Sequence, residues 1–357
     1  MQLDFGNIGE HERAIVNEAL LKGMVSTATP QITEFEQKLA EYLGMPDAVA
    51  TNSCTAALHL ALLVCGIGPG DEVIVPATTF VATANAVCHS GAKPVFVDVD
   101  LETWTIDPEL VEEAITIDTR AIIPVHLYGN PCKMGALYEI SRRYSLYIIE
   151  DAAESLGATC QERQTGTIGD VGCFSFNGNK TITTGGGGLL VSNDPEKIVR
   201  ARSLSLQGKD RYGNQVDIGY NYKMTGLAAS LGLAQFERLQ EFLKKKEAFH
   251  FYYSTLLRAT NKDIIFQSPS AFSVPSWWFI ACLFKRDAED IQKRLSVLAI
   301  PTRRVFEPIP YILPYREHGD YLNASYLYQH GLCLPCSTLN TVDDIDRVCE
   351  GIREIEK

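Results

Sequence analysis

Lys180 is the side chain in this sequence whose chemistry has the largest consequences. It lies in a polar turn, residues 177–183, between an apolar segment that ends at Phe176 and a run of four glycines at 185–188. Burial favours the neutral form of a lysine amine, and a neutral amine attacks aldehydes to form a Schiff base. The small neighbours and the few partners expected for its ammonium predict a nucleophile in a pocket. Taken alone, Lys180 is more simply an exposed loop lysine.

An acidic segment upstream changes that balance. Residues 147–154 are interpreted as a buried strand that ends in acidic residues, among them Asp151 and Glu154. A carboxylate at this point could hold the protonated ring nitrogen of pyridoxal phosphate (PLP), which makes the ring an electron acceptor. The acid-ended strand and the lysine turn together favour a PLP site.

A third candidate group could bind the phosphate of such a cofactor. A short predicted strand, residues 48–51, is followed by the polar residues 52–55 and by a helix over 56–65. This arrangement points backbone N–H groups and the positive end of the helix dipole at one place, which suits a phosphate. Ordinary helix N-caps look the same, so the motif is weak in isolation.

Strands and helices alternate over the first 250 residues, and the strands are almost continuously apolar. This pattern predicts a parallel sheet covered by helices on both faces. Ligands of such sheets bind beyond the carboxyl ends of the strands, where Cys54, Phe80, His126 and Asp151 are all expected. His126 is interpreted as a hydrogen-bonded histidine at a strand end rather than as an acid or base.

The individual elements follow from periodicity and from turn signals. Strands are predicted at 48–51, 72–76, 94–98, 121–126, 146–150, 189–191 and 277–283. Helices are predicted at 10–22, from a capping box at 33–36 to Gly44, at 56–65, from Phe80 to Val87, and at 108–115, 134–144, 195–205, 227–246, 287–298 and 341–355. The change of texture near residue 250 divides the chain into a large domain, 1–248, and a small α+β domain, 249–357.

Composition excludes several classes of partner. The 357 residues are 46% hydrophobic and carry a net charge of −12, which argues against nucleic acid and anionic membranes. No leader peptide and no apolar run of about 18 residues are seen, so a cytoplasmic protein is expected. The ten scattered cysteines indicate reduced, buried thiols. The CxxC at 333–336 is interpreted as coincidental, because no second CxxC completes a metal site.

Three segments, residues 150–154, 175–183 and 219–224, resemble the DegT/StrS nucleotide-sugar aminotransferases. These are PLP enzymes with the fold of aspartate aminotransferase (fold type I). The resemblance, which covers essentially the whole chain, implies an α/β protein with a large, mostly parallel seven-stranded sheet domain and a small α+β C-terminal domain. Residues 126–130 and 331–335 look like the branch that makes UDP-bacillosamine-type sugars, whereas residues 207–208 and the Pro-Tyr pairs after Arg303 are similar to perosamine synthases.

The resemblance also implies roles for the residues around the cofactor ring. Lys180 would bind the PLP aldehyde and then carry protons between the cofactor and C4 of the sugar. Asp151 would pair with the pyridinium nitrogen, and Phe80 would stack on the ring. Glu154 matches a position that contacts the cofactor near its phenolic oxygen, although an acid in the first turn of a helix is nearly as good an interpretation.

Phosphate binding would fall to Ser175 and to the backbone at Cys54 and Thr55. Asn221 would reach the phosphate bound by the partner subunit, so the active unit would be a homodimer with a shared active site. The family often has Gly where this chain has Cys54.

Substrate-binding candidates complete the prediction. They are Ser26, Thr27, Asn177, Arg303 and Phe306. Arg303 is a candidate for a carboxylate or diphosphate, since a guanidinium grips paired oxygens. Lys223 and Pro310 replace an arginine and a histidine that are common in the family, which leaves the sugar open.

The function implied is transfer of an amino group from glutamate to C4 of a nucleotide-linked 4-keto-6-deoxy sugar, for surface polysaccharide or glycan synthesis. UDP-2-acetamido-2,6-dideoxy-4-keto-hexose is the first candidate substrate, and GDP-4-keto-6-deoxymannose, which gives GDP-perosamine, is the alternative. A deoxygenating relative would carry histidine in place of Lys180. A non-catalytic, sugar-nucleotide-binding or regulatory homologue is the remaining alternative, and it need not retain Asp151, Ser175 and Lys180 together.

Overall fold

The computed structural model describes residues 1–316 and 319–356. Fourteen strands form three sheets within these residues. They are β1 (Ala48–Thr51), β2 (Glu72–Pro76), β3 (Lys93–Val97), β4 (Thr119–Ile122), β5 (Tyr147–Asp151), β6 (Thr159–Cys160), β7 (Arg163–Gln164), β8 (Val171–Ser175), β9 (Gly188–Val191), β10 (Ile265–Phe266), β11 (Ser273–Val274), β12 (Ile280–Leu283), β13 (Arg303–Arg304) and β14 (Gly331–Leu334).

The largest sheet has seven strands in the order β1-β9-β8-β5-β4-β2-β3. Strands β8, β5, β4, β2 and β3 run parallel, and only β9 is antiparallel to its neighbours β8 and β1. Most residues of these strands are buried, as expected when helices cover both faces. The predicted seven-stranded, mostly parallel sheet is therefore confirmed.

Twelve α-helices surround the sheets in the described residues. They are α1 (Glu10–Leu21), α2 (Pro30–Leu43), α3 (Cys54–Val64), α4 (Ala82–His89), α5 (Pro108–Glu113), α6 (Met134–Tyr144), α7 (Pro195–Ser205), α8 (Gly226–Glu237), α9 (Leu239–Thr260), α10 (Ala288–Val297), α11 (Leu322–His330) and α12 (Val342–Ile355). None of them is long and apolar enough to cross a membrane.

The predicted start of α2 is wrong. The helix begins at Pro30 after the N-cap Thr29, three residues before the proposed capping box, because proline suits the first helical position. The box acid Glu36 instead turns inward, where Oε1 accepts a hydrogen bond from the Ala50 amide at 2.8 Å and Oε2 pairs with Arg202 at 2.7 Å.

The single helix predicted over 227–246 is also wrong, because the chain breaks at Arg238 between α8 and α9. Arg238 has φ −101° and ψ 2°, and its guanidinium donates to the buried Glu12 at 3.0 Å. Helix α9 then continues through residues 248 and 249 to Thr260 and packs against α12. One helix therefore connects the elements of the large sheet with those that follow it.

The C-terminal elements include a four-stranded antiparallel sheet with the order β10-β12-β14-β13. The strand predicted at 277–283 begins only at Ile280, because Trp277 has a left-handed φ of 50°. Cys333 lies in β14 and Cys336 two residues after its end, both as buried free thiols. The short strands β6, β7, β10, β11, β13 and β14 and helix α11 were not anticipated from the sequence.

Candidate active site

A cavity of about 370 Å³ lies at the carboxyl end of the large sheet and reaches β13 of the small one. It unites ten of the residues predicted from the sequence. They are Cys54, Thr55, Phe80, Asp151, Glu154, Ser175, Asn177, Lys180, Arg303 and Phe306.

Lys180 projects into this cavity and is not an exposed loop lysine. Its side chain is 12% exposed. Its Nζ lies 3.4 Å from Glu154 Oε1 and 3.5 Å from the centre of the Trp278 ring. The expectation that the ammonium has few partners is wrong, since a carboxylate and an indole face both stabilise a cation.

Asp151 closes another side of the cavity at the end of β5. Its Oδ2 accepts a hydrogen bond from the Thr83 hydroxyl at 2.8 Å, and its Oδ1 accepts one from the Ala153 amide at 3.1 Å. Burial raises the pKa of this carboxyl above its ordinary value, against the opposing effects of those two donors and of Lys180. A cationic ring nitrogen would therefore find a desolvated carboxylate with a free acceptor position on each oxygen.

Glu154 is fixed by the backbone rather than by a helix. Its Oε2 accepts a hydrogen bond from the Tyr128 amide at 2.8 Å. No helix follows residue 154, where the chain forms turns, so the alternative of a first-turn helix acid is wrong. Burial raises the pKa of Glu154, and the charge of Lys180 opposes that rise.

His126 is buried behind the cavity, and its ring is fully hydrogen-bonded. Its Nδ1 accepts from the Cys132 amide at 3.1 Å, which places the proton on Nε2, 3.0 Å from Glu150 Oε2. Glu150 also accepts hydrogen bonds from the amides of Gly166, Ile168 and Gly169. The prediction of a hydrogen-bonded histidine is confirmed, and Glu150 anchors a loop rather than a ligand.

The N-terminus of α3 forms the polar end of the cavity. The helix begins at Cys54 rather than at 56, with Ser53 as N-cap accepting from the Ala56 amide at 3.1 Å. The first intrahelical bond runs from Ala57 N to Ser53 O, so the amides of Cys54 and Thr55 precede it and remain available to an anion.

Arg303, in β13, is a cation held among aromatic rings. Its Cζ lies 4.4 Å from the ring centre of Phe279, 5.0 Å from that of Phe306 and 5.8 Å from that of Trp278. Its Nε and one Nη are buried without a hydrogen-bond partner among the described residues. Unsatisfied buried donors are costly, which indicates an anionic ligand at this position.

Three predicted residues do not line the cavity of this chain: Ser26, Thr27 and Asn221. Ser26 is exposed, and its carbonyl accepts from the Gly226 amide at 2.7 Å. Asn221 is exposed too, and its carbonyl accepts from the Asn52 side chain at 3.1 Å.

Sequence reasoning missed Trp278 and Thr83, which contact Lys180 and Asp151. The strand predicted at 277–283 includes Trp278, but in the structure Trp278 precedes β12 and its Nε1 donates to the Asn179 carbonyl at 2.7 Å. Thr83 could have been found, because it follows Phe80 by one helical turn and hence faces the same strand ends.

The residues present fit PLP on three independent points. The helix amides suit a phosphate, the buried Asp151 suits a protonated ring nitrogen, and the amine of Lys180 suits an aldehyde. All three open into one cavity.

Comparison with known proteins agrees with this fit. The model of the DegT/DnrJ/EryC1/StrS aminotransferase family matches residues 7–353. The chain is 40% identical to a GDP-perosamine synthase of Caulobacter vibrioides, over 97% of this chain and 95% of that protein. It is 34% identical to a UDP-2-acetamido-2-deoxy-3-oxo-D-glucuronate aminotransferase of Pseudomonas aeruginosa, over 79% and 77% of the two chains. Spr1654 from Streptococcus pneumoniae, in its PLP-form, superposes with a TM-score of 0.93 at 29% identity, over 99% and 98% of the two chains.

Proposed function

This chain belongs to the DegT/DnrJ/EryC1/StrS aminotransferase family, and from that premise we propose that it transfers an amino group from glutamate to C4 of GDP-4-keto-6-deoxymannose. It is a PLP-dependent sugar-nucleotide aminotransferase. Glutamate as the amino donor, the identity of the sugar and the roles of the individual residues are what we propose. The observation that carries it is the shared cavity of the Lys180 amine and the buried Asp151 carboxylate. PLP, when bound, supplies an aldehyde and an electron-accepting ring.

Each side chain has a separate task in this proposal. The Lys180 amine would bind the aldehyde of PLP and move the proton at the carbon that gains or loses nitrogen. The Asp151 carboxylate would hold the proton on the ring nitrogen. Glu154, 3.4 Å from Lys180 Nζ, holds charge or a proton beside the amine. Trp278 covers Lys180 and limits access of water to it.

The preference for a GDP sugar rests on two arguments. The relative with 40% identity over nearly the whole chain carries the name GDP-perosamine synthase. The residues that resemble the UDP-bacillosamine branch, 126–130 and 331–335, contain buried core positions such as His126, Tyr128 and Leu332, all 0% exposed. The resemblance at these positions therefore reflects the packing of the protein core and is weak evidence for the identity of the sugar substrate.

The UDP-2-acetamido sugar is the second candidate. It is favoured by the Pseudomonas aeruginosa relative, whose name contains a UDP-2-acetamido sugar with a 3-oxo group. Arg303 suits either nucleotide, because its unpaired donors recognise a carboxylate or a diphosphate without reading the base.

A homodimer is part of the proposal. Asn221, Ser26 and Thr27 lie outside the cavity of their own chain; Asn221 and Ser26 are exposed and Thr27 is half-buried. In a dimer with a shared site, Asn221 binds the phosphate in the cavity of the partner subunit and the other two line its sugar pocket. Sedimentation of the purified protein, and complementation between Lys180→Ala and Asn221→Ala chains in mixed dimers, test this arrangement.

The central experiment is borohydride reduction of the PLP-loaded protein followed by peptide mapping. We expect the label on Lys180, and Lys180→Ala should lose both the visible absorbance and turnover. Lys133→Ala is the matched control, because Lys133 pairs with Asp100 at 3.0 Å at the surface. Turnover and absorbance that persist in Lys180→Ala would rule the assignment out.

A substrate panel then separates the two sugars. The aminated cofactor form is mixed with GDP- and UDP-linked 4-keto sugars, and recovery of the PLP absorbance is followed in a single turnover. A response to no keto sugar, with the label still on Lys180, would instead favour the non-catalytic alternative.

A further inference from the structure

Residues 3–6 connect the lysine turn to the segment that follows β14 of the C-terminal sheet. The carbonyl of Leu3 accepts a hydrogen bond from the Cys336 amide at 2.9 Å, and the carbonyl of Phe5 accepts one from the Ser337 hydroxyl at 3.0 Å. Gly6 lies against the lysine turn, since a Cβ at this position would stand 3.0 Å from the Gly178 carbonyl oxygen. This N-terminal segment therefore lies directly behind the candidate active site.

Asp4 is the charged side chain of this segment and is only 6% exposed. Its Oδ1 lies 3.8 Å from Lys246 Nζ, which is 3% exposed. Its Oδ2 is buried and has no hydrogen-bond partner among residues 1–316 and 319–356. Asp4 and Lys246 therefore form a buried ion pair rather than a surface one, because both charges are removed from water.

Lys246 connects Asp4 to the active site through Trp278. From the middle of α9, its Nζ donates to the Trp278 carbonyl at 2.7 Å and to the Cys336 carbonyl at 3.2 Å. The Trp278 ring in turn lies 3.5 Å from Lys180 Nζ. Lys246 thus contacts the backbone of Trp278, and Lys180 contacts its ring.

We propose that Asp4 is a positioning residue of the active site, which through Lys246 holds Trp278 against Lys180 and supplies negative charge to the cationic side of the cavity. The inference rests on the role proposed for Lys180. Asp4 does not line the cavity and need not touch a ligand.

The charge balance around Asp4 argues against a purely stabilising pair. The groups that act on its charge are Lys246 from α9, Lys180 from the lysine turn, Arg303 from β13 and Glu154. Even with three cations among them, burial raises the pKa of Asp4 to about 6. The ionised carboxylate is therefore less stable in the folded protein than in water, and its presence at neutral pH opposes folding.

The test is the Asp4→Asn variant of the PLP-loaded protein, which removes the charge and keeps the shape. Its visible absorbance is titrated with pH, since that absorbance changes when the Lys180 nitrogen gains a proton. Loss of a nearby negative charge makes the protonated nitrogen less favourable. The midpoint should therefore move to lower pH by on the order of one unit, as for a charge about 10 Å away at an effective dielectric constant of about 20. The melting temperature at pH 8 should rise.

Asp47→Asn is the control, because it breaks an ion pair with Arg202 at 3.0 Å outside the cavity and should leave the midpoint unchanged. An unchanged or raised midpoint in Asp4→Asn, or a lower melting temperature at pH 8, would overturn the inference. Borohydride labelling separates this result from failure of the proposed function, because the label stays on Lys180 if only the role of Asp4 is wrong.

Discussion

The hydrogen bond from Thr83 to Asp151 gives the sharpest test of how the cofactor is held. Thr83→Val removes the hydroxyl that donates to Asp151 Oδ2 at 2.8 Å and keeps the β-branched shape. A hydrogen bond to a charged group contributes about 1.5–3 kcal/mol. Because Asp151 must be ionised to pair with a protonated ring nitrogen, loss of this donor makes the required form less favourable, and the affinity for PLP should fall by up to about 10- to 100-fold.

The pH dependence of binding should change in a defined direction. Burial already raises the pKa of Asp151, and loss of a donor to its ionised form raises it further. The variant should therefore release PLP at a higher pH than the wild-type protein as the solution is acidified. The assay is absorbance titration of the cofactor-free protein with PLP at several pH values.

Thr78→Val is the matched control for this experiment. Thr78 is 1% exposed, and its hydroxyl is buried without a hydrogen-bond partner in the described part of the chain. Removal of that hydroxyl should leave PLP affinity unchanged and leave stability equal or higher. Equal losses of affinity in the two variants, or no loss in Thr83→Val, would refute the reasoning.

Three further predictions follow from the same contacts. Arg303→Lys, which keeps the charge and loses the planar fork, should raise the KM for an anionic substrate at least about tenfold and leave PLP affinity unchanged; steady-state kinetics and PLP titration check this. Glu154→Gln should shift the pH profile of turnover while borohydride still labels Lys180, because the Tyr128 amide can hold the amide oxygen as it holds the acid; an unchanged profile would exclude a proton-holding role. Burial raises the pKa of Asp4 to about 6 in the folded protein, against 3.8 unfolded, so the native state binds more protons between these pH values. Asp4 should therefore lower the free energy of unfolding by up to about 3 kcal/mol as pH rises through this window. Urea unfolding at pH 4 and pH 8 should show this loss in the wild-type protein and not in Asp4→Asn.

The sequence was sufficient to predict the part of the fold in which short apolar strands and helices repeat along the chain. These strands are short apolar runs bounded by turn signals, and β2 and β4 lead into a helix, so β2, β5 and α6 were placed within a residue or two. The break at Arg238 could not be placed, because no proline or glycine marks it and the ion pair with Glu12 comes from the other end of the chain.

The candidate site shows the same division. Lys180 and Asp151 were predictable from their own segments, since Asp151 ends β5 and Lys180 lies in the polar turn that follows β8. The contact of Trp278 with Lys180 was not predictable. It depends on a turn at Trp277, and this turn packs on a glycine that is distant in sequence. Gly129 has φ +92°, and a Cβ there would stand 2.8 Å from Trp277 N, so the approach requires that glycine.

The hairpin that carries the lysine has a consequence for protein engineering. Residues 176–187 leave the large sheet at Ser175 and return at Gly188, and these two residues face each other across β8 and β9. Adjacent strands lie about 4.8 Å apart, so strand pairing fixes the short distance between the two ends of this segment, whatever its own sequence. Exchange of this segment for one of equal length from a relative should therefore keep the pairing of β8 with β9, provided that the contacts of Asn179 with Trp278 and of Gly178 with Gly6 are also kept.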